Sequence, residues 1–109
     1  VLRLLEDEYA RDILTETSAQ PMTAEQLATA CDVSLSTVYR RVNALEDQGL
    51  LESESRLDQD GDHYRQFAAT VESVEVAFDD GDLLVAVEHT GDGADRFTRA
   101  WERLREDNA

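Results

Sequence analysis

Apolar residues recur at helical spacing through the first half of the chain, and then the period shortens to two. Leu2, Leu5, Tyr9 and Ile13 follow one another at intervals of three and four, and Leu14 widens the stripe. This spacing predicts a helix from about Leu2 to Ser18, with Pro21 ending the stretch beyond it. Thr23 and Gln26 form a capping-box pattern that opens a second, short helix carrying Leu27, Ala28 and Cys31. Asp32 and Val33 make a tight turn. Ser34 is then a natural N-cap for a third helix, which runs to about Gln48 on a stripe of Leu35, Val38, Val42 and Leu45. Gly49 stands where a helix-ending glycine belongs. A short helix, a tight turn and a second capped helix spell a helix-turn-helix.

Beyond Gly49 the alternation is that of strands. Leu50 to Leu57 and Tyr64 to Ala69 flank the polar turn DQDGD, as the wing of such a domain would. Val71 to Phe78 and Leu83 to Glu88 flank DDGD as a second hairpin. After HTGDG, the residues Phe97, Ala100, Trp101 and Leu104 predict a last helix from about Ala94 to Glu106. The expected fold is α+β: a winged helix-turn-helix of three helices and a wing hairpin, a second β-hairpin and a C-terminal dimerisation helix. Residues 1–70 would form the DNA-binding part, and residues 71–109 an extension within the same compact unit.

Composition complicates that expectation. The 109 residues carry a formal net charge of −15, with 25 acids against 10 basic residues. A balance this acidic argues against a polyanionic partner in dilute salt. Every basic residue is arginine, and lysine is absent. In molar salt the screening length falls to about 3 Å, so distant repulsion largely vanishes. An acidic, lysine-free surface then serves hydration, and the composition resembles that of extremely halophilic archaea. No apolar run approaches the roughly 20 residues that span a bilayer, and no signal-peptide pattern opens the chain. One cysteine allows no internal disulfide. The expected compartment is the cytoplasm.

On a wheel of about 100° per residue, Val38, Val42, Leu45 and Leu35 of the third helix share one face, and Ser36, Arg40 and Asn43 the opposite one. Thr37 and Tyr39 lie on the flanks. Arg41 lies near the edge of the core face, where it would reach a phosphate or snorkel. Arginine binds guanine at two points, asparagine does the same to adenine, and hydroxyls suit either partner. The bland alternative is a solvated helix whose arginines pair with Glu46, Asp47 or other surface acids. Arg56, His63 and Arg65 on the flanks of the wing extend the candidate contact set, whereas Asp58, Asp60 and Asp62 at its tip would repel phosphate.

The stretch LATACDVSLSTVYRRVNALEDQGLL resembles the helix-turn-helix of archaeal winged-helix transcriptional regulators of the ArsR type, and VSxSTVYRRV…L…GLL resembles haloarchaeal members in particular. RLDQDGDHYRQF is similar to their wing, and VEVAF…LLVAVE with DRFTRAWERL to their C-terminal part. The resemblance implies a homodimer on roughly palindromic promoter DNA, with Ser34, Ser36, Thr37, Tyr39, Arg40 and Arg41 facing double-stranded DNA. Metal-sensing relatives carry paired cysteines or clusters of histidines and acids. Here one cysteine and two distant histidines imply no metal and no cofactor.

Cys31 has two readings. One is a small buried hydrophobe under the third helix. The other is a thiol switch, activated by the helix dipole and resembling single-cysteine redox regulators of this type. Asp58, Asp60 and Asp62 match the first positions of a calcium loop, but His63 and Ala69 stand where that loop needs glycine and glutamate. HTGDGAD lacks the lysine of a phosphate loop, and no nucleophile–base pair is apparent, so an enzyme is not expected. Leu2, Leu5, Tyr9, Phe97, Trp101 and Leu104 are candidates for a dimer interface. The competing functional expectation is a protein-interaction module on the same scaffold, using the acidic hairpin Val71 to Glu88 and reading no DNA.

Overall fold

A computed structural model describes residues 1–90. The order of elements is α1 (Leu2–Leu5), α2 (Glu8–Ala19), α3 (Ala24–Cys31), α4 (Leu35–Asp47), β1 (Leu51–Leu57), β2 (His63–Ala69), β3 (Val71–Asp79) and β4 (Asp82–His89). The chain divides into two compact units, Val1–Thr70 and Val71–Ala109. The helix expected from Ala94 to Glu106, with Phe97, Trp101 and Leu104, lies outside the described residues. Among the described residues, no helix is long and apolar enough to cross a membrane.

The first unit is built around α2, α3, α4 and the β1–β2 hairpin. Ala10, Ile13, Leu27, Val38, Val42, Leu45 and Leu50 are fully buried, and Phe67 is almost so. These positions are largely the stripes read from spacing. Other stripe positions are not in the core: Leu5, Tyr9, Leu14, Ala28 and Cys31 are half-buried, Leu2 is exposed, and Leu35 is 39% exposed at the first turn of α4. Thr17 is buried but satisfied, because its Oγ1 donates to the Ile13 carbonyl at 2.7 Å.

The single N-terminal helix expected from the stripe is two helices. Asp7 interrupts it in an extended conformation, and its side chain accepts from the Tyr9 amide at 2.9 Å. The Arg11 guanidinium donates to the carbonyls of Leu5 and Glu6, which lie at the end of α1. An N-capping aspartate inside an apolar period is enough to restart the helix, and period alone does not register it.

The turn of the helix-turn-helix is closed by backbone bonds. Val33 N–H donates to Ala28 and Asp32 N–H to Thr29, with Asp32 itself at φ 53°. This is the bonding pattern of a glycine-ended helix with aspartate in the left-handed position, a conformation that aspartate tolerates better than most residues. α4 ends the same way: Leu50 N–H donates to Leu45 and Gly49 N–H to Glu46, with Gly49 at φ 74°. The capping box predicted for α3 is present, with Thr23 and Gln26 each accepting from the other's amide.

β1 and β2 pair antiparallel from Leu51↔Ala69 to Leu57↔His63. Asp58 shapes the loop between them, its Oδ1 accepting from the amides of Asp60 and Asp62 at 2.9 Å each. Met22 adds a bridge on the free side of β2 by exchanging two backbone bonds with Phe67. This residue, just before α3, ties the helix-turn-helix to the wing.

In the second unit, β3 and β4 pair antiparallel from Val71↔His89 to Asp79↔Asp82. The two-residue turn is Asp80-Gly81, both at positive φ. Asp-Gly favours this kind of turn, whose twist suits a hairpin.

Candidate nucleic-acid interface

α4 presents its polar face to solvent because its apolar face is held down by Val38, Val42 and Leu45. Ser34, Ser36, Tyr39, Arg40 and Asn43 are exposed, and Thr37 is half-buried. From Ser34 to Ala44 the chain has two arginines and no acid. Within a molecule of net charge −15 this is the longest exposed run suited to a polyanion in the first unit.

Ser34 is occupied by the helix it starts. Its Oγ accepts from the Thr37 amide at 3.2 Å and donates to Thr37 Oγ1 at 2.9 Å, and it lies 3.2 Å from Ser36 Oγ. The three hydroxyls therefore form one cluster over the N-terminus of α4. The cluster caps the helix and leaves Ser36 on its outer side. A phosphate oxygen placed there would meet hydroxyl donors and the positive end of the helix together.

The arginines divide sharply. Arg41 is half-buried and ion-paired with Asp7, the residue that caps α2. That pair ties α4 to the start of α2 and removes Arg41 from the outward set. Arg56 is ion-paired with Glu54 at 2.8 Å. Arg65 donates to Ser53 at 2.8 Å, pairs with Glu46 at 3.3 Å and lies 5.1 Å from the centroid of the Phe67 ring. Arg40 is exposed and has no ion pair among the described residues. The sequence pattern treats these four arginines almost alike. Arg41 and Arg65 find their acids on other elements, Asp7 and Glu46, so those pairings become visible only in three dimensions. Arg56 and Arg65 are exposed, and exposed ion pairs contribute only about 0–1 kcal/mol, so both retain the ability to exchange their acid for a phosphate.

Tyr39, His63 and Arg65 meet in an open groove of about 470 Å³ between the helix-turn-helix and the wing. Ala24, Glu25, Ser55, Tyr64 and Phe67 complete its walls. Tyr64 and Ser55 were not singled out as site residues from the sequence. Both lie on strands, where alternation marks a face but not what faces it. Asn43 lies outside this groove, on the exposed side of α4.

Cys31 is half-buried at the end of α3. Burial pushes its thiol pKa up, and the nearby carboxylates of Asp12 and Glu16 push it further the same way. Burial first, and then acids on α2 that spacing along the sequence does not place beside the thiol, act against the activation expected from the dipole of α4. Among the described residues no cluster of histidine, cysteine and acids is arranged to hold a metal.

The helix pair, its tight turn, the exposed polar face of α4 and the β1–β2 hairpin define a winged-helix-like helix-turn-helix. Residues 5–54 match a family model described as a helix-turn-helix domain. No curated protein matches the chain.

Proposed function

We propose that the protein is a sequence-specific transcriptional regulator, binding promoter DNA as a homodimer in a cell of high internal salt. The observation that carries this reading is the exposed face of α4, where Arg40 stands without an acid partner among the described residues beside Ser36, Thr37 and Asn43. α4 enters the major groove. Arg40 reads a base edge, and the hydroxyls at the N-terminus of α4 hold a phosphate. Tyr39, His63 and Arg65 lie along the groove beside the wing, where a sugar–phosphate strand passes. Two copies reading two half-sites supply the affinity that one acidic domain lacks. Leu2, Leu5 and Tyr9, exposed or half-buried apolar residues of α1 and α2, are the candidate contact between them.

The salt response distinguishes this regulator from an ordinary one. A basic DNA-binding protein releases counterions on binding and loses affinity steeply as salt rises. Here few arginines are available to displace cations, while many acids must take cations up when they approach the duplex. Affinity for promoter DNA is expected to hold or rise between about 0.2 and about 3 M KCl, measured by fluorescence anisotropy. A steep fall over that range would contradict the high-salt reading.

A further inference from the structure

Arg65 sits where α4, β1 and β2 come together. Its Nη2 donates to Ser53 Oγ on β1 at 2.8 Å and to Glu46 Oε1 on α4 at 3.3 Å. Its guanidinium lies 5.1 Å from the centroid of the Phe67 ring, two residues along its own strand. The same side chain lines the groove with Tyr39 and His63. One arginine therefore joins α4 to the wing and also faces the space between them.

The three contacts differ in kind. Ser53 stands diagonally across the hairpin from Arg65, since Ser53 pairs with Phe67 and Ser55 with Arg65. The bond to Ser53 is short, and the Phe67 ring is fixed in the core at 1% exposure. The bond to Glu46 is the loose one. A well-formed bond from a charged nitrogen to a carboxylate runs about 2.7–2.9 Å. This one is 3.3 Å, between side chains that are 50% exposed for Arg65 and 28% for Glu46. An ion pair so open to solvent is weak and readily screened. Serine and phenylalanine position the guanidinium, and the carboxylate neutralises it.

A carboxylate oxygen and a phosphate oxygen accept from the same N–H groups of arginine. Glu46 and a DNA strand lying in the groove therefore compete for one guanidinium. Arg56 is in a different position. Its acid, Glu54, lies two residues away on the same strand and moves with it. Exchange at Arg56 concerns β1 alone, whereas exchange at Arg65 opens a contact between α4 and the wing.

We propose that Glu46 is an intramolecular stand-in for a DNA phosphate. In the free protein it keeps Arg65 neutralised and α4 tied to the wing, and on binding it yields Arg65 to the sugar–phosphate strand. This rests on the DNA-binding reading above and adds a brake to it. Met22 keeps its two backbone bonds to Phe67, so the wing stays attached to the helix-turn-helix when the Glu46 contact opens. A phosphate contact carries no base information, so the brake acts on affinity and not on the choice of sequence.

The test is a cycle of Glu46→Gln and Arg65→Gln, the latter keeping a polar stem over the Phe67 ring. Binding is read by fluorescence anisotropy on a labelled DNA duplex carrying the preferred site, at the lowest KCl concentration at which the unaltered protein binds. Glu46→Gln should tighten binding about 2- to 5-fold, the range that release of an exposed ion pair allows. The gain should be the same on singly substituted duplexes. Arg65→Gln alone should weaken binding. With Arg65→Gln already in place, Glu46→Gln should have little further effect, because no guanidinium is left to free. Glu46→Gln without a gain would overturn the proposal. So would a gain undiminished by Arg65→Gln, which would reduce Glu46 to a simple repulsion of DNA. A protein that binds no duplex at any salt would overturn the DNA-binding reading, and this proposal with it.

Discussion

Arg40→Ala is expected to weaken binding to the preferred promoter site by about 10- to 100-fold and to relax discrimination at one base pair, because a bidentate arginine–guanine contact is worth about 1–3 kcal/mol. The argument rests on the contrast with Arg41. The two residues are neighbours in sequence and carry the same charge, but Arg41 is half-buried against Asp7 while Arg40 stands free of acids among the described residues. Arg41→Ala should therefore act chiefly on stability, by leaving Asp7 unpaired at the joint between α2 and α4. Its effect on the base preference should be small. Isothermal titration of both variants against matched and singly substituted duplexes, alongside their thermal unfolding, separates the roles. Equal losses of discrimination from the two substitutions would show that the pairing of Arg41 with Asp7 does not persist on DNA.

Phe67→Ala should have the largest effect on the first unit. Phe67 is 1% exposed, it exchanges backbone bonds with Met22, and its ring lies under the Arg65 guanidinium. Truncating a buried phenylalanine costs about 3–5 kcal/mol, against a total stability of about 5–15 kcal/mol for a typical domain. The loss would not be confined to the core. Arg65 would lose its platform, the groove beside Tyr39 would lose a wall, and the wing would lose its largest fully buried side chain. Circular dichroism on heating should show a large drop in the unfolding midpoint, with DNA affinity falling in step with the folded fraction. A midpoint near that of the wild type would mean that the wing and Met22 hold together without the ring.

Much of this architecture is legible in the sequence, and the parts that are not share a cause. Helix starts and stops were readable because single residues encode them: Thr23 with Gln26, Ser34, and Gly49 each do locally what their types suggest. The hairpins were readable because alternation and Asp-Gly turns are local too. Asp7 escapes a sequence reading because its neighbours keep the apolar period across the break, so the cap is hidden inside a good stripe. The exposed face of α4 followed from the wheel, but the state of its arginines did not. Whether Arg41, Arg56 and Arg65 are paired depends on Asp7, Glu54 and Glu46, and two of those acids belong to other elements. Cys31 shows the same limit. The dipole that would activate it is adjacent in sequence, whereas burial and the carboxylates of Asp12 and Glu16, nineteen and fifteen residues away, oppose it.

Acidity and DNA binding are reconciled in this account by segregation. The acids lie over most of the surface, while the run from Ser34 to Ala44 carries none. The Asp58-centred loop keeps three acids at the wing tip, so approach to a duplex must come through α4 and the flanks of the wing.

The most direct test is selection of bound duplexes from a randomised pool in molar KCl, using the full chain and sequencing the survivors. The account predicts enrichment of a short motif, repeated as two half-sites in inverted orientation, with a guanine whose enrichment disappears in Arg40→Ala. A surviving pool no different from the input would contradict it, since a protein that recovers no preferred sequence does not read DNA through α4.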